Sequence, residues 1–280
     1  WHLRSGQYIL ENAKIPKTDI FSFSQPDYLY VYHSWAAETL VYISYKYLGL
    51  LGPTLFFASV ITLAVFFIYK SSQILSNGKI IQPVFLLSTL FSYSLAGGRM
   101  RSFNLLFLSL MYLLFLKSEK DHKKALYLIP PLFILWANFH ASFLLGLFLL
   151  SLLIFFSKQK SKTHYLVLGL SALSTLINPY FVNAWKQALI MPINSFLNVS
   201  EINPDWQSLL TTKGGPIIIA LFSGLLAFLF LTKNKVDSRQ KIIISILFFL
   251  SLISSRFALS LLVFAIPAFL IGMVLMWLGI

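Results

Sequence analysis

The chain has 280 residues, 58% of them hydrophobic and 11% charged, with 27 Phe and no Cys. A soluble domain carries about 25% charged residues, so a water-soluble globule is excluded, and without Cys neither a disulfide framework nor a thiolate metal site can form. The 22 Lys and Arg outweigh 9 Asp and Glu to give +13, which in so apolar a chain reports first on sidedness in a bilayer and only remotely on nucleic acid. The opening Trp1-His2-Leu3-Arg4 reads as mid-loop. The expectation is a fragment whose start and first membrane helix precede Trp1, with no cleavable signal peptide in view.

Residues 2–12 have the pattern of a short amphipathic helix, closed off by Pro16. Asp19 follows Pro16-Lys17-Thr18 in a turn setting that presents its carboxylate. Asp27 reads as a solvated loop acid. Ser34 is a candidate N-cap for a helix on which Trp35, Glu38, Tyr42 and Tyr45 share a face. Rich in Tyr and Trp and ending at Lys46, that helix suits the headgroup region. It is either a structural surface helix, or Glu38 and His33 line a polar cleft beneath it.

Beyond residue 50 the apolar runs are too long for strands, and lipid demands that backbone groups be satisfied within each segment. Membrane helices are predicted near 52–69, 82–97, 103–117, 125–139, 141–157, 165–179, 215–232, 242–255 and 258–277. The fold class expected is all-α, a polytopic transmembrane helical bundle of about nine membrane helices with an outer loop region. Four short connections hold 13 of the 22 basic residues against Glu119, Asp121 and Asp237. The positive-inside rule makes them cytoplasmic. Residues 1–50 then form an extracytoplasmic region with an interfacial helix, and residues 51–280 a membrane domain with a second outer loop at 180–214. Long loops of this kind tend to be functional, whereas the Lys-rich loops contain no GxxxxGK[ST] sequence.

The candidate chemistry lies on the outer side. Asp19 is placed to act as a general base or to hold a divalent cation, with Glu38 and His33 as further catalytic candidates. Arg99 and Arg101, in Gly97-Gly98-Arg99-Met100-Arg101, sit at an outer boundary where arginine is disfavoured, and Arg256 repeats the anomaly. Snorkelling would explain them structurally. Three such groups on the acidic side favour an anionic ligand such as a lipid phosphate, which guanidinium forks grip with two hydrogen bonds. His140, in Trp136-Ala137-Asn138-Phe139-His140, is a hydrogen-bonded structural residue or a ligand contact. Asn178-Pro179-Tyr180 reads as a helix stop. The stretch from Glu201 to Ser208, with Asp205 and Trp206, is either an interfacial loop or a surface for stacking and hydrogen-bonding a sugar. No zinc-site spacing and no Gly-x-Ser-x-Gly is present.

Several of these pieces together resemble bacterial multi-pass membrane proteins of the GT-C class, relatives of polyprenyl-phosphate-sugar-dependent glycosyltransferases. They are Trp1 to Gly6, Pro16 to Ser22, His33 to Glu38, Trp136 to His140, Asn178 to Tyr180 and the Asp205-Trp206 region. The resemblance implies a protein of the bacterial cytoplasmic membrane. It would transfer a sugar from a polyprenyl-phosphate donor to an envelope glycan, lipid or protein acceptor on the outer side. It implies Asp19, then Glu38, as the acceptor-activating carboxylate. Arg99, Arg101 and Arg256 would stabilise the leaving lipid phosphate, and Asp205 with Trp206 would hold acceptor or sugar. No nucleotide donor is required, and a divalent cation occurs in the class, although no ligand cluster in the chain points to one. The class's leading acidic residue would precede Trp1, and Arg101-Ser102-Phe103 departs from its Arg-Pro-Gln-like element. The rival expectation is a non-catalytic multi-pass protein, a transporter or assembly subunit for envelope polysaccharide.

Overall fold

The computed structural model describes residues 1–24, 28–79, 82, 85–86, 89–90, 97–120, 122–157, 160–194, 207–231 and 236–277. Among them are eleven α-helices and one 3-10 helix, and the one β-type pairing is an isolated antiparallel bridge between Thr18 and Leu29. Two short helices come first, α1 (His2–Asn12) and α2 (Trp35–Leu48). Ala13 closes α1 in the left-handed region at φ 48°. Gly49, at φ 58°, ends α2. A β-carbon on Gly52 would fall on the Ser44 carbonyl, so α2 turns directly into α3 (Leu51–Leu75).

The bundle continues with α4 (Ser102–Glu119), the 3-10 helix Lys123–Leu128, α5 (Ile129–Phe139) and α6 (Phe143–Phe155). Then come α7 (Lys162–Ser174), α8 (Val182–Asn194), α9 (Gly215–Leu231), α10 (Ser238–Ile253) and α11 (Arg256–Trp277). Pro130 and Pro131 occupy the first turn of α5, where the missing N–H groups are tolerated. Asp237 caps α10 by accepting the Arg239 backbone N–H at 3.1 Å.

Helix α4 is the centre. The apolar windows of α4 and α11 are each 78% buried, against 33% for α3, so α4 and α11 form the spine and α3 shows most of its surface outward. α3 and α11 flank α4, α10 lies on α11, α5 pairs with α7, and α1 lies on α2. Leu55, Leu63 and Phe66 on α3, Leu166 and Leu173 on α7, and Leu221 and Phe230 on α9 are exposed. Apolar surface of that extent is suited to lipid rather than water.

Three helices, Leu51–Leu75, Ser102–Glu119 and the stretch Arg256–Met273 of α11, are long and apolar enough to cross a membrane. The expectation of about nine spans is therefore corrected among the described residues. Helices of 11 to 16 residues, such as α5, α6, α7 and α10, rise about 17–24 Å at 1.5 Å per residue. The hydrocarbon core is about 30 Å thick. The apolar runs in the sequence were continuous across breaks that the chain folds as turns and as the 3-10 helix. Most of the span expected at 82–97 lies outside the described residues.

The two ends of the bundle differ in chemistry. At one end Arg239 donates to Glu119 at 2.6 Å and to Asp237 at 2.7 Å, and Ser157 donates to Glu119 at 2.7 Å. Lys120 reaches Asn77 at 2.9 Å, joining the ends of α3 and α4. The ammonium groups of Lys70, Lys160 and Lys241 lie 5.6, 5.0 and 5.7 Å from the ring centroids of Phe66, Phe155 and Phe230. These lysines fold back over apolar helix ends while keeping the charge outermost.

Because Glu119 and Arg239 are only 15% and 14% exposed, losing Glu119 removes a largely desolvated charged hydrogen bond, although Asp237 still faces the guanidinium. Glu119→Gln should destabilise the protein by about 2 kcal/mol, read as a lowered Tm in detergent, whereas Lys160→Ala should leave the Tm nearly unchanged.

Candidate functional site

The opposite end gathers five separated stretches of sequence. α1 lies across the first turn of α2 at Gly6, where an added β-carbon would fall on the Glu38 carbonyl and against Tyr42. That approach brings His2 Nδ1 to 2.8 Å from Glu38 Oε1. Glu38 is fully buried, and its Oε2 has no hydrogen-bond partner. Ser34, one turn earlier on α2, begins the helix as expected, but its hydroxyl makes no capping bond and is buried without a partner.

The segment between α1 and α2 folds back as a small hairpin. Asp19 N–H donates to Tyr28 at 2.9 Å and Tyr30 N–H to Lys17 at 3.1 Å. The Tyr32 hydroxyl donates to the Thr18 carbonyl at 3.2 Å and accepts from Ile20 N–H at 3.3 Å. Tyr30 and Tyr32 pack edge to face, their centroids 4.7 Å apart. Burial raises the Tyr30 phenol well above its usual range, and the Glu38 charge adds to the effect. Tyr180 is pushed up to about 12, again by burial first. Both phenols therefore stay protonated donors.

The bundle contributes three tips. Trp35 Nε1–H donates to Asn138 Oδ1 at 2.9 Å, and Asn138 Nδ2 donates to the carbonyls of Ile134 and Ile177 at 2.8 Å each. The Tyr180 hydroxyl donates to the Pro16 carbonyl at 2.7 Å. The α5–α6 turn sets His140 edge-on to His33, with ring centroids 6.1 Å apart. His140 Nδ1 accepts the Ser142 backbone N–H at 3.1 Å and lies 2.8 Å from Ser142 Oγ, which itself accepts Trp136 Nε1–H at 3.0 Å. With Nδ1 accepting, the ring proton sits on Nε2, where it can donate to a ligand. His33 Nδ1 is buried without a partner.

Arg256 begins α11, and its charge acts on both His33 and His140. Asn104 Nδ2 donates to Ser260 Oγ at 2.7 Å, which aligns the starts of α4 and α11. Arg101 and Arg256 then stand at the same end, each about one turn beyond that bond. Arg99 is exposed in the turn before α4, and Arg101 is half-buried.

Asp19 is turned toward its own loop: its Oδ1 accepts the N–H groups of Phe21 and Ser22 at 2.9 and 3.2 Å. His33 and His140 are brought together beside the α2 N-terminus, and Glu38, in the first turn of α2, is paired with His2. Asp27, Glu201, Asp205 and Trp206 lie outside the described residues. His2 was not among the residues that sequence pattern singled out, since its partner lies 36 residues away and no spacing announces the contact. Among the described residues no three His, Cys, Asp or Glu side chains are grouped to hold a metal ion. Beside Asn138 runs an open, largely apolar groove of about 600 Å³, lined by Asn138, Leu176, Ile177, Asn178, Pro179 and Phe181.

No family model, no curated protein and no solved structure matches the chain.

Burial, with the charges of His2 and Arg256, lowers His33 from 6.5 to about 4, and burial lowers His140 well below its usual value. In this window the unfolded chain binds protons that the folded chain refuses, so stability rises with pH. The Tm should be flat above pH 7 and fall as pH drops from 6.5 toward 4. His33→Asn should remove part of that fall, measured as the difference between the two melting profiles.

Proposed function

We propose that the chain is an integral membrane glycosyltransferase of GT-C type, transferring a sugar from a polyprenyl-phosphate donor to an envelope acceptor on the extracytoplasmic side of a bacterial cytoplasmic membrane. The observation that carries the reading is Glu38, an enclosed carboxylate with one oxygen taken by His2 and the other unanswered, at the same end as the paired imidazoles of His33 and His140, on which the charges of His2 and Arg256 both act. Perturbed titratable groups gathered in this way are a mark of functional sites.

In this reading the acceptor hydroxyl gives its proton to Glu38 Oε2 as its oxygen bonds to the anomeric carbon. The bond from that carbon to the phosphate oxygen breaks, and its electron pair leaves with the lipid phosphate. Arg256 and the Nε2–H of His140 stabilise the leaving charge, with Arg101 and Arg99 at the same end. His33 lines the site as a neutral ring. Asp205 and Trp206 are assigned to the acceptor or sugar by their residue types. The open groove beside Asn138 supports the reading by offering apolar surface to a lipid tail next to the polar cluster. Glu38 comes before Asp19 as the base because Asp19 Oδ1 is engaged in its own turn. Glu38 Oε2 is enclosed, so a hydroxyl reaches it only after a local opening that leaves α1 seated on α2.

That same enclosure favours the second reading, a non-catalytic membrane subunit for envelope polysaccharide in which Glu38 serves only to seat α1.

Turnover separates the two. With the protein in lipid vesicles and labelled polyprenyl-phosphate sugars supplied, release of polyprenyl phosphate is expected, lowered about 10²- to 10⁴-fold in Glu38→Gln and less than about tenfold in Asp19→Asn. Absence of turnover with every donor sinks the transferase class, and undiminished turnover in Glu38→Gln removes the base. Sidedness has its own check, because the chain has no Cys. A single Tyr47→Cys should react with an impermeant maleimide from outside intact cells, and Lys124→Cys only after lysis.

A further inference from the structure

Glu38 does not stand alone in its pocket. His2 and Gly6 are one turn apart on α1 and share the face pressed on α2. Gly6 leaves no room for a β-carbon against the Glu38 carbonyl, and His2 Nδ1 meets the Glu38 carboxylate at 2.8 Å. The side chains are 37% and 1% exposed, so the carboxylate is sealed while the imidazole reaches the surface. Trp1 lies over the imidazole with a centroid separation of 3.9 Å and a tilt of 33°, limiting the ring's rotation. An ionised carboxylate can only accept, so the shared proton belongs to Nδ1.

Within the pair Oε1 is bonded and Oε2 is left without a partner, a pattern that the Asn104 and Gln240 amides share among the described residues. What sets Glu38 apart is that its open atom belongs to a carboxylate, which when ionised is a base as well as an acceptor.

We propose that His2 is the positioning residue for Glu38: its Nδ1–H holds Oε1, prevents the carboxylate from turning, and leaves Oε2 as the single basic atom presented to an acceptor hydroxyl. α1 is then part of the site, and Gly6 is what allows it to be. This rests on the transferase reading for its kinetic part alone.

Two measurements test it. In protein labelled with ¹⁵N-histidine and reconstituted in nanodiscs, His2 in its neutral form should carry its proton on Nδ1, and Glu38→Ala should release that tautomer. A proton on Nε2, or a tautomer indifferent to Glu38→Ala, overturns the pairing whether or not any sugar is transferred. In the polyprenyl-phosphate assay, His2→Ala should lower kcat roughly 10- to 100-fold, the scale expected when a reacting group is displaced by about 1 Å, with KM unchanged. His2→Asn, whose amide can donate from nearly the same place, should restore most of the loss. Gly6→Ala, with both polar groups intact but α1 pushed away, should resemble His2→Ala. An unchanged kcat in His2→Ala, or a loss confined to KM, overturns the positioning role. A wild-type protein that turns over no donor overturns the transferase reading, while the tautomer still decides the pair.

Discussion

Polar side chains inside an apolar bundle must be answered by partners on neighbouring helices, and α4 is organised by that requirement. On its inner side Asn104 bonds Ser260 of α11, Tyr112 accepts from Gln240 of α10 at 2.7 Å, and Glu119 takes Arg239 at the start of α10. Three polar contacts along one helix fix the register of α4 against α10 and α11 more narrowly than Leu and Phe packing alone, since an apolar slip loses little and a polar slip strands a donor. With that register fixed, the starts of α4 and α11 stand together at one end and the start of α10 meets the end of α4 at the other.

The separation of chemistry between the ends follows. The end holding the Glu119–Arg239–Asp237 network carries lysines whose ammonium groups curl over helix-end phenylalanines. The other end carries Arg99, Arg101 and Arg256, the imidazoles of His2, His33 and His140, and a sealed carboxylate. There the contacts are of long range: Trp35 to Asn138, Tyr180 to Pro16, His33 beside His140 and His2 to Glu38. Each ties the N-terminal fifty residues to a turn of the bundle or to one another, so that region is a cover folded onto the helix tips. His33 and His140 remain neutral there because burial, with the charge of Arg256, acts in the same direction on both.

Composition and charge pattern were sufficient for the class of molecule. Continuous apolar runs, few charges and lysines grouped in short connections dictate helices and an apolar exterior, because both follow from local transfer free energy. The short helices before residue 50 were legible too: Pro16 and Lys46 bound them, and Ser34 marks a start that the helix does adopt. Helix length was less legible. Hydropathy reports whether a residue prefers lipid, not where the backbone turns, so apolar runs read as nine spans include helices of only 11 to 16 residues.

The site shows the same division more sharply. Residue type alone marked Glu38, His33, His140 and the arginines as candidates, because ionisable groups in apolar surroundings need a reason to be there. Residue type could not rank Asp19 against Glu38, nor find His2. Ranking depended on which carboxylate is enclosed and which is occupied by its own turn, and finding His2 depended on two helices meeting at Gly6. Secondary structure and the grouping of charge are sums over neighbouring residues and can be read along the chain. The pairing of His2 with Glu38 is decided by the close approach of separate helices, and only the tertiary structure contains it.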